Sequence, residues 1–582
     1  MVIKSAALTL IAAVVIAAAV FEARPRYKGV RAGRTDADYI SSKSCRACHD
    51  GHYDSWARTF HRRMTQDAKI DSVQGDFERD NEFEYLGVKA RMERRDGAFF
   101  MRLTFPDGSD KTFTVDRTVG SRRIEQYLTR QSGQYTRLPL AYDLVNRRWM
   151  SLNGSFFYPD GNDYFKHQAP WDANCVFCHN VKAQPNLDLR TRQFSTEVAE
   201  LGIACGACHG AGATHAERAA SPLARTLWRL SDASDTQVVN PRKLDAERSM
   251  MICGHCHGQR VPDPISKIEE IMTRGDPFNA GENLAAFYRP VLRETTIGSY
   301  SFANRFWANG SPRLTAYEYQ GVLRSACFTK GDPANRINCL TCHSMHEGDV
   351  RGQIRAENRT DKPCLECHKQ YEPTAALAAH TRHKEDSTGS RCYNCHMPRV
   401  VYGIMSVHPT HDITVPDPRL TAAQAVPNAC NQCHLDKSVN WAITASKSFW
   451  PRRFETAQTS PDEQFNLPEG PRALFAGDAL MRALAAEAMG GGPERPDPAW
   501  AGPYLVEAFE DNYPIVRFFA ANSLSRGPWN LTKLDYLATA EERRARLETW
   551  RRIFSSASQA EVMRVAGLLR ARRVDVDIEV GE

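Results

Sequence analysis

Between Glu82 and Val115 apolar and polar residues alternate in short runs, Glu82 to Met92, Ala98 to Phe105 and Thr112 to Val115, rich in aromatic and β-branched side chains. Asp96-Gly97 and Pro106-Asp107-Gly108 separate these runs, and such breaks predict β-hairpins. Tyr127, Leu138-Pro139-Leu140 and Trp149 extend the apolar stretch. A small sheet is expected there, serving as scaffold over the first Cys-x-x-Cys-His segments of the chain, with a substrate or partner platform as the alternative. Further on the period becomes helical, with amphipathic segments at Leu474 to Met489, Tyr504 to Phe509 and Ile515 to Leu524. Gly-Gly-Gly-Pro and Asp-Asn-Tyr-Pro break them apart, and the polar stretch from Pro461 to Gly470 reads as a linker before them. From Ser42 to Asp436, outside the β-rich stretch, sparse secondary structure is expected.

The amino terminus has another pattern. Lys4 precedes an apolar run from Ala6 to Phe21 that contains Ala17-Ala18-Ala19, the layout of an export signal. The run is short for a membrane span, and Arg24, Arg26 and Lys28 follow it, against the positive-inside preference of an uncleaved anchor. Residues 1–23 are therefore expected to be a signal peptide, with a signal anchor, and hence membrane anchoring, as the alternative. A periplasmic or otherwise extracytoplasmic location follows from either.

The cysteines change the picture most. Sixteen of the 17 fall in eight Cys-x-x-Cys-His motifs: Cys45/Cys48, Cys175/Cys178, Cys205/Cys208, Cys253/Cys256, Cys339/Cys342, Cys364/Cys367, Cys392/Cys395 and Cys430/Cys433. Each ends in a histidine: His49, His179, His209, His257, His343, His368, His396 or His434. This is the pattern of c-type haem attachment, in which both sulfurs form thioethers to the haem vinyl groups and the histidine binds iron from the proximal side. Zinc sites would pair motifs on one metal and would not need a histidine after every second cysteine. Eight covalently bound haem c groups are the expected cofactors. Only Cys327 remains, which excludes a disulfide framework, and it reads as a small buried hydrophobe.

The formal charge of +6 then loses its meaning as a nucleic-acid signal. Each ferric bis-histidine haem adds about −1 through its propionates, bringing the loaded protein to roughly −2 or lower. No nucleic-acid partner is expected.

A second axial ligand decides whether a haem only carries electrons or can also bind substrate. Ten histidines lie outside the motif ends. His255 sits between its own motif's cysteines, and His52 is too close behind His49 to return to that iron. His380/His383 and His408/His411 are expected to supply one ligand per pair. The candidate distal ligands are thus His61, His167, His215, His346, His383 and His411. If one haem is open, the one at Cys253/Cys256 is expected to be it, because no histidine follows His257 until His343; Arg260 could then hold an anion or pair with a propionate.

Several stretches carry a family resemblance. The stretch from Cys45 through Trp56 to His61 resembles the opening of the cytochrome c-554-type multihaem domain. Cys205-Gly-Ala-Cys-His-Gly-Ala-Gly-Ala-Thr-His215 and Cys339-Leu-Thr-Cys-His-Ser-Met-His346 resemble its CxxCHGxGxxH and CxxCHxxH elements. The resemblance spans Asp38 to Trp441 and implies that the histidine after the tryptophan ligates a different haem. Cys392-Tyr-Asn-Cys-His-Met-Pro398, Val415-Pro-Asp-Pro and Pro427-Asn-Ala-Cys resemble an exported bacterial group whose members often end in helical repeats. The segment from Tyr513 to Leu524 resembles a HEAT-repeat helix, and a plain helical cap is the alternative. The CxxCK motif of ammonia-forming nitrite reductases does not occur. Hydroxylamine oxidoreductases, with their tyrosine cross-link, and octahaem sulfite or tetrathionate reductases stay open.

The expected fold is a mainly α multihaem cytochrome c with sparse secondary structure. Its expected parts are a first haem segment (38–74), a β-rich insertion (75–165), a multihaem core (166–441) and a HEAT-like helical region (470–582). The expected function is single-electron transfer between redox protein partners, membrane-associated ones among them. The alternative is an oxidoreductase acting on a small nitrogen or sulfur compound at one open haem, with a small inorganic anion as ligand. A polymerised filament is a third possibility, without direct support in the sequence.

Overall fold

The computed structural model describes residues 38–578 except 121, 162, 231–236, 315, 334, 403–404, 492–498, 530 and 532–534. The expected export signal lies outside them.

The β-rich insertion forms two antiparallel sheets. Its strands are β1 (Thr65–Asp67), β2 (Glu82–Tyr85), β3 (Val88–Arg95), β4 (Ala98–Thr104), β5 (Asp110–Val115), β6 (Arg117–Val119), β7 (Ile124–Gln131), β8 (Gln134–Asp143) and β9 (Arg148–Ser151). One sheet runs β2-β3-β4-β5 and the other β1-β6-β7-β8-β9. Alternation decides the faces of the first: Val88, Ala90 and Met92 are buried while Lys89 and Arg91 are exposed. Asp96-Gly97 closes β3 onto β4 in register Arg95↔Ala98, with φ of 50° and 80°. Two successive positive φ values give a turn whose twist matches the strands it joins. The expected single run from Glu82 to Met92 is split by a second such turn at Leu86-Gly87 (φ 52° and 78°). Leu86 stands 39% exposed at its tip, and an apolar residue at a turn is what disguised the break.

The carboxy-terminal helices are α1 (Glu469–Ala476), α2 (Ala479–Ala488), α3 (Gly502–Glu507), α4 (Pro514–Arg526), α5 (Ala540–Arg551) and α6 (Ser556–Arg570). Asp478 divides the expected helix from Leu474 to Met489, because its carboxylate accepts from the Leu480 and Met481 amides and starts α2 anew. The expected linker is partly structured. Glu463–Asn466 forms a 3₁₀ turn, and Phe465 packs against Val439 and Ile443.

These helices do not stand apart from the sheets. Phe113, Tyr127, Leu140 and Met150 belong to one apolar core with Leu480, Phe509, Phe518, Leu547 and Leu569. Asp160 pins the seam. It accepts two hydrogen bonds of 3.0 Å from the fully buried Arg517 guanidinium and one of 2.8 Å from the Tyr85 hydroxyl. A buried charge is tolerated when paired and hydrogen-bonded in this way. The β-rich insertion thus scaffolds the helical region, while one margin of its five-stranded sheet faces the motif-bearing segment.

That segment has short helices, such as Cys205–His209 and Cys392–His396, separated by loops and two-stranded ribbons. No helix among the described residues is long and apolar enough to cross a membrane.

Candidate haem sites

Each motif makes one helical turn. The histidine amide donates to the carbonyl of the first cysteine in His49 (2.9 Å), His179 (3.0 Å), His257 (2.8 Å), His343 (3.0 Å), His368 (2.9 Å) and His434 (2.9 Å). At 3.6 residues per turn, positions i, i+3 and i+4 share a side. Both sulfurs and the imidazole are thereby presented together, which is what one porphyrin edge and its iron require.

A single cavity of about 3590 Å³ runs through this segment, lined by all sixteen motif cysteines and all eight motif histidines. Protein interiors are close-packed, with few voids larger than a water molecule, so a cavity of this size and lining is shaped for large groups. Attachment thiols of different motifs lie side by side within it: Cys45 by Cys205, Cys178 by Cys256, Cys253 by Cys339 and Cys364 by Cys392.

Six motif histidines face a second imidazole across the cavity. Ring centres are 6.3 Å apart for His49 and His215, 6.2 Å for His209 and His346, and 6.2 Å for His343 and His411. They are 6.2 Å apart for His396 and His380, 6.0 Å for His434 and His383, and 6.0 Å for His257 and His61. A ligating imidazole nitrogen lies about 2.0 Å from its metal, so two rings on opposite sides of one iron have centres roughly 6.2 Å apart. The residues fit haem: the spacing leaves room for one iron and one porphyrin plane between each pair.

Hydrogen bonds set the tautomers. Nδ1 of His209 donates to the Val239 carbonyl (2.7 Å), that of His343 to Gly352 (2.8 Å), that of His396 to Thr414 (2.8 Å) and that of His383 to Thr381 (2.7 Å). A carbonyl can only accept, so Nδ1 carries the proton and Nε2 keeps its lone pair for metal. Burial works in the same direction. It pushes His61, His179 and His346 down to about 4, leaving them neutral at pH 7.

Of the candidate distal histidines, His61, His215, His346, His383 and His411 each face a motif ring. His167 does not: it packs on Phe156 at 4.7 Å and Tyr158 at 5.6 Å and is absent from the cavity lining. The one-per-pair expectation for His380/His383 is corrected, because each faces a different motif. Helix Thr374–Thr381 ends between them, and Arg382 takes a left-handed conformation (φ 61°) that redirects the chain. Of His408 and His411, only His411 meets a motif ring.

The reading of Cys253/Cys256 as an open site is also corrected. His61 faces His257, and Arg260 is engaged with the buried Asp276 at 3.7 Å and with the Cys178 sulfur at 3.7 Å. Asp276 also pairs with His255 Nε2 at 2.6 Å. Cys327 lines the cavity beside Cys364 and Cys367 and is only partly buried. Among the described residues, His179 and His368 face no second imidazole ring; His179 is half-buried and His368 exposed.

The site so built is that of a c-type cytochrome with several haems. The family model described as a doubled CXXCH motif matches residues 332–373, which hold the Cys339 and Cys364 motifs, and the chain is a multihaem c-type cytochrome with covalently bound haem c. A solved structure similar to it is that of the outer cell wall cytochrome OcwA, at 14% sequence identity and a TM-score of 0.48, covering 84% of this chain and 99% of that one. No curated protein matches it.

Proposed function

We propose that the chain is an extracytoplasmic octahaem conduit that passes single electrons between redox protein partners. The carrying observation is the set of six facing imidazole pairs in one cavity lined by all sixteen motif cysteines. In this reading His215, His346, His411, His380, His383 and His61 complete the coordination of the irons held by His49, His209, His343, His396, His434 and His257. Haem supplies a reversible one-electron couple, and six-coordinate iron exchanges electrons without binding substrate. The protein holds each group by two thioethers and buries it.

The contacts between motifs support a connected path. Cys45 with Cys205 joins the first and third motifs, and Cys178 with Cys256 and Cys253 with Cys339 join the second, fourth and fifth. Electrostatic proximity of Cys208 to Cys253 unites these two sets, and that of Cys342 to Cys364 joins them to the later motifs. Cys364 with Cys392 and Cys395 with Cys433 extend it to the last one.

A second reading is favoured by a specific observation. His179 and His368 line the cavity and face no second imidazole among the described residues, and Nδ1 of the half-buried His179 is enclosed without a partner, so we read its haem as the one at which a small nitrogen or sulfur compound would bind. Mass spectrometry of the denatured holoprotein tests the haem count, with eight expected; fewer, with every motif intact and maturation not limiting, would overturn the octahaem reading. Electron paramagnetic resonance of the oxidised protein tests the ligation. Six or more low-spin haems support the conduit, and a high-spin signal supports the second reading.

A further inference from the structure

His255 and Arg260 flank the motif histidine His257, and the coordination described above uses neither. Both turn towards Asp276, whose side chain is 4% exposed. Nε2 of His255 lies 2.6 Å from its carboxylate, the Tyr288 hydroxyl donates to it at 2.9 Å, and the Arg260 guanidinium stands at 3.7 Å. Strands Arg260–Pro262 and Tyr288–Pro290 pair with Pro262 opposite Tyr288, which carries the phenol to the cluster. Gly275 has a φ of 91°, and a Cβ there would stand 2.8 Å from the Ala183 carbonyl oxygen. Glycine therefore permits the close approach at which the Asp276 amide donates to that carbonyl at 3.1 Å.

The cluster touches two attachment sulfurs of different motifs. Arg260 is 3.7 Å from Sγ of Cys178, and Nδ1 of His255 is 3.6 Å from Sγ of Cys256. These are the two sulfurs that lie side by side where the second and fourth motifs meet. Arg260 also donates to the His255 carbonyl, which holds the guanidinium in place. His255 and Asp276 line the cavity, whereas Arg260 stands behind them, its Nε enclosed without a partner among the described residues. The result is an oriented charge pair, with the cation against Cys178 and the anion turned to His255 and Tyr288. Burial works against the Asp276 carboxylate, but His255 and Arg260 outweigh it and hold the group well below the usual carboxylate range. The pair is thus ionised at neutral pH.

We propose that Arg260 and Asp276 set the reduction potential of the haem held by Cys175 and Cys178, Arg260 raising it and Asp276 limiting the rise. The inference rests on haem being attached at this motif and at its neighbour, Cys253/Cys256. Reduction adds one electron to a haem, so a cation beside it favours the reduced form and an anion opposes it. Buried charges act more strongly than surface ones, because water and salt screen them less. Asp276 has a second effect: a guanidinium left unpaired at this depth would be costly, and the hydrogen bonds from His255 and Tyr288 keep the compensating carboxylate in position. Since Arg260 contacts the sulfur of Cys178, the pair biases an electron towards that haem over the one at Cys253/Cys256.

Redox titration of the holoprotein, followed by its visible spectrum, tests the pair. Arg260→Gln should lower the midpoint of one haem component and Asp276→Asn should raise it. Each shift is expected to reach about tenfold in the reduction equilibrium, or about 59 mV for one electron. Arg260→Lys keeps the charge and should move the midpoint less than half as far as Arg260→Gln. A role in packing alone would not give the two partners opposite signs. Shifts of the same sign, no shift in either variant, or equal shifts in Arg260→Lys and Arg260→Gln would each overturn the proposal. Should Arg260→Gln fail to load haem, Asp276→Asn decides alone: a rise supports the pair, and no change or a fall sinks it. Mass spectrometry of proteolytic peptides carrying Cys175–His179 and Cys253–His257 reads attachment separately. A parent peptide without haem would end the attachment reading and this inference with it, whereas haem on both with unmoved midpoints would end this inference only.

Discussion

His61 and His257 face each other at 6.0 Å with ring planes turned 79° apart, whereas the other five facing pairs are inclined by 4° to 29°. Near-perpendicular imidazoles on one iron leave its two dπ orbitals close in energy; near-parallel ones split them. The oxidised holoprotein should therefore give one highly anisotropic low-spin signal beside several rhombic ones. Replacing His61 with alanine should remove the anisotropic signal and raise a high-spin one, with the covalent haem count unchanged. Loss of a rhombic signal instead would mean that His61 serves another haem.

His380 and His383 should act separately. Each single alanine variant is expected to convert one low-spin haem to high-spin, and the double variant two, because the rings face His396 and His434 respectively. Equal high-spin intensity in the double and single variants would return both histidines to one iron.

Glu125 lies in the shared core, with its carboxylate accepting from the Tyr127 hydroxyl (2.8 Å) and the Gln74 (2.9 Å) and Gly75 (3.0 Å) amides. Burial outweighs these bonds and pushes it up to about 7. The folded protein holds this proton more tightly than the unfolded chain does, so the contribution is complete below about 4.5 and is lost as pH rises to about 7. Stability should fall across that window by up to about 3 kcal/mol. Thermal unfolding followed by circular dichroism should show this slope in the parent and a flatter one in Glu125→Gln.

Breaking the seam should be costly. Arg517→Ala leaves the Asp160 carboxylate with the Tyr85 hydroxyl and the longer Arg543 contact of 3.4 Å, so the loss should stay below the roughly 3–5 kcal/mol of a fully buried pair broken outright. Limited proteolysis of the holoprotein should then open the helical region at lower temperature, while the haem spectra stay as in the parent. Unchanged protease resistance would show that the seam does not depend on this pair.

What could be read from the sequence divides by range. The motifs are local, since one helical turn places two sulfurs and an imidazole, and five residues suffice to recognise it. The Asp96-Gly97 hairpin is local as well. Facing partners are not, because His61 meets His257 and His411 meets His343 through folding over long separations. The His380/His383 assumption failed because Arg382 occupies a left-handed position usually left to glycine or asparagine, so nothing in the residue types marked the reversal. The alternating and helical patterns identified the two outer regions, yet neither revealed their common core, since an apolar face does not specify what covers it.

The Asp160–Arg517 seam also works as a clasp. The sheets lie early in the chain and the helices that cover them lie late, so their union closes the intervening motif-bearing segment into one large loop. Closing a loop costs entropy that grows only slowly with its length. Once that cost is met, the segment's ends are tethered, and its remaining freedom is that of a ring rather than of an open strand. The motif-bearing segment is thereby held within a bounded volume, and its own Trp307, Leu314, Val401, Met405 and Leu435 pack into the same core.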